Sequence, residues 1–141
     1  IVKYIEQNGD GIAKTFEGNS ITVDMFCNAF YQPKEFYAVS HGRVNILTPL
    51  FEEMDCKIGL FIATLINKER YRFSYGRAVY NSVISKLKIN LPIEYDENNN
   101  PKLDEKAQYS DHKYIPDFKL MKEYIESLDY GTSLNIENEQ K

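Results

Sequence analysis

The sequence predicts a mixed α+β domain with a strand-rich first half, one buried helix and a C-terminal helix. Residues 1–47 alternate apolar and polar positions in short runs separated by turn residues, which is typical of short strands. Residues 58–66 place isoleucines four positions apart with other apolar residues between them, which indicates a helix buried on most of its surface. After Pro116, apolar residues recur every three or four positions and predict a final helix. A chain of 141 residues can build one domain with its own core.

The predicted elements follow from local patterns and turn residues. Asn8–Gly11 reads Asn-Gly-Asp-Gly, which tolerates positive φ and therefore predicts a hairpin between the first two strands. Asp55 is suited to cap the buried helix, and Asp117 favours the dipole of the last helix, which we expect to stop at Gly131. Strands are expected at 2–5, 12–16, 21–23, 26–31, 36–39, 44–47 and 88–91, with a turn at 18–19, a loop at 70–77 and a short helix at 81–87.

Composition divides the chain into four parts. We expect a domain core over residues 1–95 and a polar linker over 96–115, where large apolar residues are few. A helix over 116–131 belongs either to the domain or to a connector, and a polar tail follows over 132–141. The start at Ile1 rather than Met suggests a piece of a longer protein. No apolar stretch approaches the roughly 20 residues of a membrane-spanning helix, and we expect a cytoplasmic protein.

The charge is distributed unevenly along the chain. The net charge of −4 argues against simple nucleic-acid binding. However, residues 1–92 carry 11 basic and 9 acidic residues, whereas residues 93–141 carry 6 and 12. Within 67–88 there are six basic residues and one acidic residue, Glu69. Such a local basic face can contact phosphates whatever the total charge is.

The 70–77 loop is the leading candidate for a binding site. It holds three of the four arginines of the chain, and aromatic residues alternate with them. The planar guanidinium group can make two hydrogen bonds to a guanine or a phosphate, and tyrosine can pack on a sugar. Arginine–tyrosine pairs can also be purely structural. The candidates for DNA contact are Arg70, Arg72, Tyr75 and Arg77, followed by Arg43, Asn45, Asn8 and Lys14.

Catalytic patterns find little support. Cys27 could pair with His41 or His112 as nucleophile and base, but neither spacing nor context favours this. Neither cysteine has the spacing of a metal site, and no glycine-rich phosphate loop is present. Asp117 with residues 139–141 superficially matches a nuclease pattern, but that pattern needs its second acid and lysine on a core strand. We therefore expect neither catalytic residues nor a metal in this chain.

Several motifs, taken together, resemble one family. Gly59–Ile66, Phe73–Arg77 and Leu87–Pro92 follow one another in its order and spacing. The chain resembles the target recognition domain of the DNA specificity subunits of type I restriction–modification systems, and of related type II specificity proteins. The similarity covers most of residues 8–128. Further matching segments are Asn8–Ala13, Ala29–Gln32 and Pro116–Phe118 with Met121, Tyr124 and Ile125.

The resemblance implies a non-catalytic domain that reads one half of a split target in double-stranded DNA. Methylation and cleavage would come from partner methyltransferase and restriction subunits, where S-adenosylmethionine, ATP and Mg²⁺ would bind. A second recognition domain is a further possible partner. The rival hypothesis is a protein-interaction module, in which Phe118, Met121 and Ile125 dock on a methyltransferase or a second specificity chain.

Overall fold

The computed structural model describes residues 14–38, 44–74 and 76–128, and it confirms the mixed α+β class. Five strands precede a long helix, and a second helix packs against that helix near the C-terminus. The elements are β1 (Lys14–Phe16), β2 (Ser20–Asp24), β3 (Ala29–Gln32), β4 (Phe36–Ala38), β5 (Val44–Leu47), α1 (Cys56–Lys68), a 3-10 helix (Glu69–Arg72), α2 (Asn81–Ile84) and α3 (Phe118–Glu126).

Strand β2 is the centre of a three-stranded antiparallel sheet. It lies between β3 and β5, while β1 pairs with β4 in a separate antiparallel ribbon. Ile21 and Val23 on β2 are buried, because alternate side chains of a strand point to the same face. That face packs against α1, and it forms one side of the core.

The turn between β2 and β3 corrects the predicted continuous run over 26–31. Asp24 accepts hydrogen bonds from the backbone N–H groups of Phe26 and Asn28, and the chain reverses there. Cys27 takes a φ of 66° inside this turn, which is uncommon for a residue with a side chain. The turn at Gly18–Asn19 is confirmed. The predicted strand at 2–5 and its hairpin turn lie outside the described residues.

Helix α1 is the central support of the fold. The Asp55 carboxylate caps it by accepting a hydrogen bond from the N–H of Ile58 at 2.9 Å, as the sequence predicts. Ile58, Ala63 and Ile66 on this helix are buried and belong to the hydrophobic core. Gly59 lies so close to the ring of Tyr31 that a Cβ atom would stand 2.2 Å from Cδ2, so a larger residue here would force the ring to move.

The region after α1 differs from the prediction. The 3-10 helix Glu69–Arg72 occupies the first half of the predicted 70–77 loop, and α2 ends at Ile84 instead of residue 87. Residues 88–91 form no strand in the part of the chain that the structure describes, because no neighbouring segment pairs with them. The first backbone pairing after this point joins Ile93 to Pro116.

Residues 93–116 fold back on themselves before the last helix. Isolated bridges join Tyr95 to Pro101 and Leu103 to Tyr114. Asp96 and Asp104 each accept backbone hydrogen bonds within their own turns. The bridge at Ile93 and Pro116 then brings the chain back to the start of α3. The domain and linker boundaries expected from composition stay predictions.

Helix α3 packs against α1. Asp117 is its N-cap and accepts a hydrogen bond from the N–H of Leu120 at 2.9 Å. Met121 and Ile125 are buried, and ion pairs to α1 and its cap flank them. The helix ends at Glu126, and Gly131 lies outside the described residues. None of the described helices has the length and apolar character needed to cross a membrane.

Candidate nucleic-acid interface

Arg70 lies on the 3-10 helix at the end of α1, and the β2–β3 turn holds it. Its Nη1 donates a hydrogen bond to Oδ1 of Asn28 at 2.9 Å. The residue is exposed, so the remaining N–H groups of the guanidinium can reach an external ligand. The structure therefore places the first predicted arginine at the surface in a defined orientation.

Arg72 lies at the end of the same 3-10 helix and is paired with Glu69. Its Nη1 donates to Oε2 of Glu69 at 2.8 Å, and both side chains are partly exposed. The hydrogen bond and the carboxylate charge raise the pKa of Arg72 above its usual value, so the guanidinium keeps its charge. Glu69 neutralises part of that charge, and a DNA phosphate would compete with it for the same donors.

An open groove of about 440 Å³ runs beside this arginine. Four of the eight residues that line it are basic, and none of these described lining residues is acidic. No side-chain hydrogen bond or ion pair within the described residues involves Arg77, Lys86 or Lys88. The lining residues are Arg72, Phe73, Arg77, Ser82, Val83, Lys86, Leu87 and Lys88.

Three exposed aromatic side chains lie on the 3-10 helix, just before α2 and on β3. Tyr71, between the two arginines of the 3-10 helix, is 83% exposed. Tyr80 and Phe30 are also largely exposed. Lys86 and Lys88 also line the groove, although the sequence indicates them only as part of the local positive charge. Their spacing from Arg77 carries no periodic signal, because a turn and the short α2 separate them.

Asn45 needs a correction as a DNA-contacting candidate. Its side chain is only 7% exposed, and its Nδ2 donates to the backbone oxygen atoms of Val23 and Val79. It therefore connects the sheet to the segment before α2, and its side chain is too buried to contact DNA. The side chain of Lys14 and all of Asn8, Arg43 and Tyr75 lie outside the described part, so their assignment stays a prediction.

The apolar face of α3, which the rival hypothesis predicts to dock on a partner, is largely covered by the domain itself. Met121 and Ile125 are buried against the rest of the domain, so they cannot meet a partner in this structure. Phe118 is half-buried and stacks on Phe51 with ring centroids 5.5 Å apart. An amphipathic helix buries its apolar face against whichever surface completes the core, and here that surface is α1.

The environment of Cys27 gives no support to a thiol enzyme. Cys27 is fully buried, and burial raises the pKa of its thiol. A raised pKa disfavours the reactive thiolate. His112 is exposed and stacks on Tyr114, while His41 lies outside the described residues. Among the described residues, no cluster of histidine, cysteine and acidic side chains could hold a metal ion.

An exposed cationic groove is typical of nucleic-acid-binding domains. The comparison with protein families agrees with this class. Residues 6–105 match the model of the type I restriction modification DNA specificity domain, which covers more than half of the chain. The chain belongs to this family. The comparisons with curated proteins and with solved structures gave no significant match.

Membership of the family confirms the target DNA recognition that the resemblance implies. The domain serves target DNA recognition in the specificity subunit, which is the non-catalytic component of a restriction–modification complex. DNA and the methyltransferase and restriction subunits are the partners that the family implies, and the partner subunits use the cofactors.

Proposed function

We propose that this domain reads one half of a split duplex DNA target through the surface formed by the 3-10 helix and the cationic groove. The groove carries the proposal, because four cations line it and, within the described residues, only Arg72 among them is paired with a carboxylate, that of Glu69. A phosphate backbone is the extended polyanion that such an arrangement fits. Arg70 and Tyr71 share the 3-10 helix with Arg72, which lines the groove, and we assign base and sugar contacts to them.

The proposal assigns different tasks to the cations. Arg77, Lys86 and Lys88 contact phosphates, because their side chains are free of protein partners within the described residues. Phosphate contacts fix the register of a protein on the duplex, whereas base-edge contacts give sequence specificity. Arg70 is the candidate for a base contact, since the protein already fixes its orientation.

The finer partner and location assignments belong to the same proposal. A second recognition domain would read the other half of the target. The methyltransferase and restriction subunits would bind S-adenosylmethionine, ATP and Mg²⁺ and carry out the chemistry. We also expect the domain to act in the cytoplasm.

The salt dependence of DNA affinity tests the groove. Arg77→Ala should lower affinity for every duplex and reduce the slope of log affinity against log salt by about 0.9, the effect of one phosphate contact. Lys119→Ala is the matched control, because Lys119 is 86% exposed on α3 and also carries one positive charge. Fluorescence anisotropy over about 50 to 200 mM salt measures both variants.

Two outcomes would count against the groove. If the Arg77 and Lys119 variants reduce the slope equally, only the overall charge matters and the groove is not the contact. If neither the parent nor the variants show a slope, the interaction is not with a polyanion. That second result would favour binding to a protein partner, because apolar contacts change little with salt.

A further inference from the structure

We infer that Asp24 and Asn28 are positioning residues that hold Arg70 in place for base recognition. This rests on the proposed function of the surface and adds residues that neither the family nor the sequence motifs assign. The two side chains form a chain of hydrogen bonds that ends on the guanidinium group.

Asp24 fixes the orientation of the Asn28 side-chain amide. Its Nδ2 donates to Oδ2 of Asp24 at 2.7 Å, and its Oδ1 accepts from Nη1 of Arg70 at 2.9 Å. A carboxylate only accepts hydrogen bonds, so it attracts the NH₂ group of the amide. The amide oxygen is therefore turned towards Arg70, where the guanidinium can only donate.

The turn that carries Asn28 and the 3-10 helix that carries Arg70 are both attached to α1. The β2–β3 turn that carries Asn28 is attached to the end of α1, because the Asn67 side chain makes two hydrogen bonds with the backbone of Ala29, at 2.8 and 2.9 Å. The thiol of Cys27 lies 3.4 Å from the carbonyl oxygen of Ile66. The 3-10 helix with Arg70 begins directly after α1, so both ends of the Asn28–Arg70 bond are fixed to the same helix.

Arg70 keeps N–H donors that the bond to Asn28 does not use. The bond to Asn28 uses one of the five N–H donors, and the residue is exposed. The remaining donors include pairs with the geometry that matches O6 and N7 of guanine in the major groove. A side chain already ordered before binding loses less freedom on contact, so its contribution to specificity rises. Arg77 lacks such a support within the described residues, which suits a phosphate contact.

Selection from randomised duplex DNA with sequencing of the bound fraction tests the inference. Arg70→Ala should reduce the preference for the favoured base at one position of the enriched motif by roughly ten- to a hundredfold. Asn28→Ala should relax the same position by about two- to tenfold, since Arg70 remains but loses its support. In the double variant, the loss should not exceed that of Arg70→Ala alone, because both substitutions act through one side chain.

Asp24→Asn is the sharper variant, because it leaves Asn28 and Arg70 in place. It keeps one oxygen for the backbone N–H groups of the turn but puts an NH₂ group where the second carboxylate oxygen was. Asn28 should then turn its own oxygen towards residue 24 and its NH₂ towards the arginine, which breaks the bond to Arg70. The same motif position should relax. Asn98→Ala, an exposed asparagine elsewhere, is the control and should leave the motif unchanged.

The outcomes separate this inference from the proposed function. If Arg70→Ala relaxes one position while the Asn28 and Asp24 variants leave it unchanged, the positioning role is wrong and the interface stands. If Arg70→Ala changes no position, the base contact itself is wrong. Thermal melting of each variant shows whether the fold is intact. A variant can melt at the same temperature as the parent and still lose selectivity at the motif position that Arg70→Ala affects. Such a result supports the positioning role, because a residue with only a structural role would change the melting temperature instead.

Discussion

Replacing Met121 by alanine tests whether α3 is part of the domain core. Met121 has no exposed surface and belongs to the same hydrophobic cluster as Ile58 and Val79. It lies beyond residue 105, where the family match ends. A buried methionine truncated to alanine costs about 2–5 kcal/mol of unfolding free energy, through lost burial and a residual cavity.

The expected shift in melting temperature follows from the size of the domain. At about 3 °C per kcal/mol for a domain of this length, Met121→Ala should lower Tm by roughly 6–15 °C. The ion pair between Lys122 and Asp55, 3.0 Å apart and partly exposed, adds at most about 1 kcal/mol to the α3 contact. Burial therefore dominates the attachment of this helix.

Leu120→Ala is the matched control for this experiment. Leu120 is the neighbouring residue on α3 and is 49% exposed, so its truncation should cost less than about 1 kcal/mol. Thermal unfolding followed by circular dichroism compares the two variants under one condition. Equal shifts for Met121→Ala and Leu120→Ala, or no shift for either, would refute the assignment of α3 to the core.

Three further predictions concern single sites. Gly59→Ala should destabilise the domain by about 1–3 kcal/mol in urea unfolding, because the new Cβ overlaps a tyrosine ring; an unchanged midpoint would contradict this close contact. The hydrogen bond to Glu53 raises the pKa of Tyr109 to about 12. The stabilisation that this bond gives the folded domain is therefore complete below pH 10 and is lost as pH rises towards 12. Tyr109→Phe should remove one late-titrating phenol from an alkaline absorbance titration, and loss of a phenol titrating near pH 10 would count against the bond. Cys27 should react with a thiol reagent only when the protein unfolds, because it is fully buried, and immediate reaction of both thiols would disprove this.

Local periodicity and caps were enough to predict the main helices and the inner strands. The four-residue spacing of isoleucines predicted α1, and Asp55 was correctly identified as its cap. The alternation around Val23 predicted β2. These features depend on neighbours within a few positions, so the sequence contains them directly.

Features that depend on distant contacts could not be predicted in this way. Asn45 looked like a surface reader, but Val79, far along the chain, accepts its hydrogen bond and buries it. The apolar face of α3 looked free to dock, although α1 covers it. Periodicity shows that a face is apolar but not what it meets. The Asn28–Arg70 contact likewise joins residues 42 positions apart, and neither residue type signals the other.

Selection of this domain on randomised duplex DNA at low salt tests the central claim most directly. The parent should enrich a short motif, and a variant with Arg70, Arg72 and Arg77 all replaced by alanine should enrich none. The Lys119→Ala control should enrich the same motif as the parent. The claim that these arginines recognise the target would be contradicted if the triple variant still enriched the parent's motif, or if the parent bound no duplex.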